Sequence, residues 1–438
     1  MSSNRFFARF FALSCALLFT MSLANAQTPV APANYDEIKI PPFTLTDPLK
    51  TTDGRIVDTP EMWNTVRRPE LLKLFDEHMF GKVSFSPDHT VVIGVREFPP
   101  KPVFNGKGTR HIISITIRKR PLSTVSDNDP TINVLLYVPN NVQGKVPMFL
   151  GLNFQGNHTV DADPGIPLGT VWNREGQPVP ATEEERGRQS DRWQIEKVLD
   201  RGYATATAYY QEIEPDFNGG SKHGVRQLFD QKGELNEGNA IATWAWALSQ
   251  IRSLIAAHAA QANINIDPDK IIVHGHSRLG KTALWAGALD RQFAMVISNN
   301  SGCGGAALSR REFGETVHRI NTAFPHWFNG NFKKYNLDVN ALPFDQHELI
   351  ALIAPRPVYI ASAEEDRWAD PKGEFLSALY ADPVYRLLGT DGIAGVKEMP
   401  EVNRPVGGTI GYHIRTGAHD VTEYDWEQFL DFANKHLK

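Results

Sequence analysis

Around residue 277 the chain runs Ile271-Ile272-Val273-His274-Gly275-His276-Ser277-Arg278-Leu279-Gly280-Lys281. A β-branched run leads into glycine and serine, then into helix formers, the order expected where a strand turns sharply into a helix. A serine hydroxyl is a weak nucleophile. To attack a carbonyl it needs such a turn, an adjacent base and donors aimed at the developing oxyanion. The second glycine stands one place later than in G-x-S-x-G, and a serine at any βα turn can serve only as a helix N-cap. The motif by itself leaves both roles of Ser277 open.

A base and an acid are expected downstream, in the chain order Ser, Asp or Glu, His. His419, in Thr416-Gly417-Ala418-His419-Asp420, follows the last predicted strand and precedes the final helix. It is preferred to His413, which falls inside that strand, where a histidine satisfied by its neighbours is the commoner case. The strand Pro357 to Ser362 empties into Ala363-Glu364-Glu365-Asp366-Arg367-Trp368-Ala369-Asp370-Pro371. Asp366 is the candidate that would orient the imidazole and stabilise its charged form. Glu364 and Glu365 also read as solvated loop charges, and Asp370 before Pro371 as a helix cap. The backbone N–H of Arg278 would be one oxyanion donor, and the stretch Asn153-Phe154-Gln155-Gly156-Asn157-His158 either supplies a second or is only a turn. The histidines lack H-E-x-x-H or comparable spacing, so no metal is expected.

The elements that must position these residues follow from periodicity. Trp63 to Phe80 has apolar residues at helical spacing. Val91 to Val95, Ile112 to Ile117 and Ile132 to Val138 read as antiparallel strands, and Val146 to Leu152 as a strand covered on both faces. An alternation follows: strand Ala204 to Tyr210, helix Gly238 to Ala260, strand Lys270 to Val273, helix Lys281 to Leu289, strand Met295 to Ser298. After the strand at Pro357 come a helical segment from Pro371 to Leu388, a last strand Gly408 to Ile414 and a helix Thr422 to His436. This order predicts an α/β-hydrolase fold, a mostly parallel central sheet flanked by helices in a three-layer sandwich. Residues 157–193, rich in Pro, Gly and polar types, are too long for an idle connection and are expected to border the active site.

Arg5 and Arg9 precede an apolar run from Phe10 to Leu23, closed by Ala24-Asn25-Ala26. This reads as a signal peptide over residues 1–26, followed by a single catalytic domain over 27–438, with the protein periplasmic or extracellular and free of the membrane after cleavage. Cys15 lies too deep in the apolar run for a lipobox. Without the leader Cys303 is the only cysteine, so no intramolecular disulfide is available. Removing Arg5 and Arg9 leaves 43 basic and 50 acidic residues, a balance of -7. No basic cluster points to nucleic acid, and a monomer is expected.

At this point the residues resemble a family. Gly275-His276-Ser277-Arg278-Leu279-Gly280-Lys281 looks like the G-x-S-R-x-G-K elbow of glucuronoyl esterases, carbohydrate esterase family fifteen. Arg67-Arg68-Pro69-Glu70, Glu77-His78-Met79-Phe80-Gly81, the segment from Gly151 to Thr159 and Gly417-Ala418-His419-Asp420 are similar to bacterial members. The resemblance implies cleavage, without a cofactor, of the ester between glucuronic acid on xylan and a lignin alcohol, with Ser277 as nucleophile and His419 as base. It further implies that Arg278 helps hold the oxyanion, that Lys281 contacts sugar hydroxyls and that Glu315 and Trp368 bind sugar. An indole face at Trp368 offers stacking area to a pyranose independently of the resemblance. Many members carry the triad carboxylate as Glu at the position of Asn300; an amide cannot supply that charge, and the acid is assigned to Asp366.

Two other readings stay open. An esterase acting on acetylated xylan would share the triad and differ only in its pocket. An exported carbohydrate-binding protein that kept the fold without catalysis is admitted by Asn300.

Overall fold

The computed structural model describes residues 30–83, 91–119, 129–173, 175–229 and 232–438. The leader expected at 1–26 lies outside the described residues. Residues 32–438 fold as one compact unit.

Its frame is a ten-stranded mixed sheet in the order β1-β2-β3-β7-β4-β8-β9-β10-β12-β11. The strands are β1 (Val91–Val103), β2 (Gly108–Lys119), β3 (Thr131–Pro139), β4 (Val146–Asn153), β7 (Ala204–Tyr209), β8 (Ile266–His276), β9 (Met295–Asn299), β10 (Val358–Ala363), β11 (Val406–Gly407) and β12 (Ile410–Arg415). From β7 to β12 every neighbour runs parallel. The β1–β2–β3 meander joins β7 antiparallel, and the short β11 closes the other edge antiparallel. The parallel part is therefore the centre, and both edges are hairpin-like.

Strand side chains alternate between faces, and here both faces are covered. Met148, Leu150, Ile271 and Val273 join the core beneath helices α1 (Ala240–Ala262), α2 (Arg278–Leu289) and α3 (Pro371–Leu387). Their neighbours Phe149, Ile272 and Ile297 pack instead with Trp426, Phe429 and Leu430 of α4 (Glu423–Leu437) on the opposite face. Burial on two sides is why these strands read as nearly unbroken apolar runs. Removing Ile272, which is fully buried, down to alanine would cost about 2–5 kcal/mol.

Two segments depart from the sequence reading. Residues 157–193 carry a small hairpin, β5 (Thr170–Trp172) with β6 (Pro178–Pro180), and a helical turn Ser190–Trp193. Between β9 and β10 lies a long crossover in which periodicity marks no element; it holds the helices Val317–Ala323 and Gln346–Ala351. Its short pieces have too few turns for a periodic signal to emerge.

Candidate active site

Ligands of α/β sheets gather beyond the carboxyl ends of the parallel strands, and the candidate residues converge there. Asn153 ends β4, Ser277 follows β8, Asn300 follows β9, Asp366 follows β10 and His419 follows β12.

Ser277 has φ 57 and ψ −129, a conformation costly for a residue with a side chain. Its N–H donates to Asn299 O at 2.9 Å, and its carbonyl accepts the first helical bonds from Gly280 and Lys281. Its side chain makes no cap hydrogen bond, so the N-cap role does not describe it. Glycine is required at 275, where a Cβ would lie 2.0 Å from Leu279 O. At 280 a Cβ would approach Ser301 Cβ at 3.0 Å. The displaced second glycine therefore lets α2 sit close to the β9 turn.

His419 Nδ1 lies 2.6 Å from Asp366 Oδ2. Asp366 is buried, while His419 keeps a side-chain exposure of 42%. Burial pushes the Asp366 carboxyl up, but the hydrogen bonds from His419 and from Asn300 Nδ2, the latter at 2.9 Å, outweigh it and hold the pKa below the usual carboxylate range. The His276 ring packs 4.4 Å from that of His419. His413 is fully buried on β12 between Tyr359 Oη and Asp425 Oδ1, each 3.0 Å away.

As the first residue of α2, Arg278 has an N–H without an intrahelical acceptor. Its guanidinium is ion-paired with Asp216 and lies over the rings of Trp327, Phe324 and Phe154, the nearest centroid being 4.7 Å away. Asp216 also accepts from Tyr210 Oη at 2.9 Å and Trp327 Nε1 at 2.7 Å, and meets His326 Nε2 at 2.8 Å. Burial opposes ionisation of Asp216, yet His326 and Arg278 hold its carboxyl far below the usual range. In the turn after β4, Gly156 N–H is already spent on Asn153 Oδ1 at 2.8 Å.

Lys281 is buried, and its Nζ donates to Ser301 O at 2.5 Å and Cys303 O at 2.6 Å, with Glu315 at 3.8 Å. Desolvation lowers the Lys281 pKa and raises that of Glu315, so burial pushes both toward neutrality. Glu315 N–H donates to Trp368 O at 3.0 Å, and the Trp368 ring is exposed at 41%. Residues 157–193 reach both flanks of this edge: Arg188 donates to Gln155, and Arg192 pairs with Asp420 beside His419.

Sequence reasoning missed Asp216, Trp327, Arg415, Asp425 and Glu374. Asp216 carried a signal, an acid shortly after a parallel strand. Trp327 carried none, being an aromatic residue in the unassigned crossover.

The strand order, the elbow and the residues gathered at the carboxyl edge define the α/β-hydrolase class. A family model described as glucuronyl esterase, fungi, matches residues 177–389. The chain is 47% identical to carbohydrate esterase MZ0003 from an unknown prokaryotic organism, over 92% of both chains. The structure of the glucuronoyl esterase from Solibacter usitatus superposes with a TM-score of 0.83 at 44% identity, covering 92% of this chain and 100% of that one. The 4-O-methyl-glucuronoyl methylesterase of Podospora anserina is 36% identical over 34% of this chain and 32% of its own. The chain belongs to the glucuronoyl esterases of carbohydrate esterase family 15, and it is a carboxylic ester hydrolase.

Proposed function

We propose that this esterase cleaves esters of glucuronic acid or 4-O-methylglucuronic acid, as in lignin–glucuronoxylan linkages, through an acyl-enzyme on Ser277. The observation that carries the reading is the His419–Asp366 pair, at 2.6 Å, on the same sheet edge as the forced Ser277 turn. Nδ1 of His419 faces the carboxylate, which leaves Nε2 to take the Ser277 proton as Oγ attacks the ester carbonyl. The N–H of Arg278 and its guanidinium, braced by Asp216, stabilise the oxyanion. His419 then gives its proton to the departing alcohol. Water attacks the acyl-enzyme by the reverse proton path and releases the uronic acid. Lys281 and Glu315 line the sugar side, and the exposed Trp368 offers a stacking face.

The leader over residues 1–26 would send the enzyme to the periplasm or beyond, where its polymeric substrate is found; it is taken to work as a monomer without a cofactor. The test is hydrolysis of benzyl glucuronate and of an acetylated xylan oligomer, by the protein and by Ser277→Ala. Cleavage of the uronate ester alone, abolished in the variant, is expected. Acetyl release alone would replace the substrate, and turnover of neither would favour the binding-protein reading.

A further inference from the structure

His419 stands in the middle of the loop 416–420, whose backbone carbonyls turn inward and need partners. One side chain supplies three of them. Arg415, at the end of β12 and only 2% exposed, donates Nη1 to Thr416 O at 2.9 Å and Nη2 to Ala418 O at 3.1 Å and Asp420 O at 2.6 Å. Its Nε donates to Asp425 Oδ2 at 2.7 Å. The guanidinium thus brackets His419 from both sides along the chain.

Asp425 is fully buried at the start of α4 and ties several elements together. It accepts from Asn299 Nδ2 of β9 at 3.0 Å and meets His413 Nε2 at 3.0 Å, and it accepts from Thr422 N at 2.7 Å. Asn299 in turn meets His276 Nδ1, next to Ser277, at 2.5 Å. Arg415 is also joined to the acid loop, because its carbonyl accepts Glu364 N–H at 2.9 Å while Gly417 O accepts Glu365 N–H at 3.1 Å. The loops bearing Asp366 and His419 and the end of β8 that leads into Ser277 are therefore linked to one buried ion pair.

We propose that Arg415, clamped by Asp425, is a positioning residue for the reaction: it fixes the His419 loop so that the imidazole is held in register with Asp366. The inference rests on the triad reading above. A guanidinium suits the task because its donors form a rigid planar fork, whereas an ammonium is a single point of charge that cannot span the same carbonyls. Displacing a base by about 1 Å costs on the order of 100-fold in rate while leaving the sugar contacts untouched.

The test compares kcat and KM of the wild type with those of Arg415→Lys, Asp425→Asn, Asp366→Asn, His419→Ala and the double variant Arg415→Lys/Asp366→Asn, on benzyl glucuronate. Arg415→Lys is expected to lower kcat about 30-fold with KM within about twofold. On the Asp366→Asn background the same change should cost less than about threefold, because the alignment it protects is already lost. Should Arg415→Lys not accumulate as folded protein, Asp425→Asn, alone and combined with Asp366→Asn, carries the same expectations. A kcat per folded molecule within threefold of wild type would overturn the inference, as would a full additive loss in the double variant. His419→Ala separates the two levels of argument: if it is active the triad reading fails, whereas an inactive His419→Ala beside an unimpaired Arg415→Lys removes only the positioning role.

Discussion

Asn300 and His419 share one oxygen of Asp366, Oδ2, with Asn300 Nδ2 at 2.9 Å and His419 Nδ1 at 2.6 Å. The amide at 300 therefore steadies the carboxylate that is proposed as the triad acid. Asp366→Asn is expected to lower kcat by about 1,000- to 10,000-fold, since the imidazole loses its orienting charge. Asn300→Ala, which removes one donor and keeps the charge, should cost about tenfold. Steady-state kinetics on a uronate ester would check both, and near-full activity in Asp366→Asn would refute the assignment.

The backbone of Ser277, at φ 57 and ψ −129, is a conformation that glycine adopts readily. Ser277→Gly should be inactive yet more stable than Ser277→Ala by about 1–3 kcal/mol, the strain released at such a position. Denaturant titration of the two variants decides; equal midpoints would mean that the elbow stores no strain.

Arg278 is held in place by Asp216, which also binds Tyr210, His326 and Trp327. Arg278→Gln should reduce kcat about 100- to 1,000-fold, in the range of a lost oxyanion donor. Asp216→Asn should lose a smaller part of kcat, because the guanidinium remains but is free to swing. An unchanged kcat in Arg278→Gln would confine that residue to packing.

Glu374 is buried against Ser362 Oγ at 2.6 Å and Gly302 N–H at 2.9 Å, and desolvation pushes its pKa from 4.5 up to about 8. Below pH 4.5 folded and unfolded chains are both protonated there. Between 4.5 and about 8 the unfolded chain releases a proton that the folded one retains, so stability declines as pH rises through this window. Glu374→Gln should flatten that decline, measured as melting temperature from about pH 5 to pH 8. An identical slope in the variant would place the titration elsewhere.

Trp368 presents an exposed indole next to Glu315. Trp368→Ala should raise KM about tenfold with kcat within about twofold, the pattern of binding lost equally from ground and transition states. A fall in kcat alone would show that the ring acts on the reacting groups.

The turn at Ser277, the central strands and the helix after it were legible because each is written locally, in unbroken apolar runs flanked by glycine at a turn. That Asp366 and His419 could meet was legible from chain order and position, since each follows a strand of the same sheet. Trp327 was not, and Asp216 showed only as an acid shortly after a parallel strand. They lie about 50 and 60 residues from Arg278 in the chain, and only the packing of the loop after β7 and of the 300–357 crossover brings them to its guanidinium. The same holds for Arg415 and Asp425: a charged residue in a strand and an acid in a helix cap look ordinary in the sequence, and their partnership depends on α4 docking against the sheet. Local propensity and periodicity set which elements form and where the reacting groups sit along the chain. Which distant side chains brace them was decided in the tertiary structure, because buried charges must find partners wherever close packing puts them.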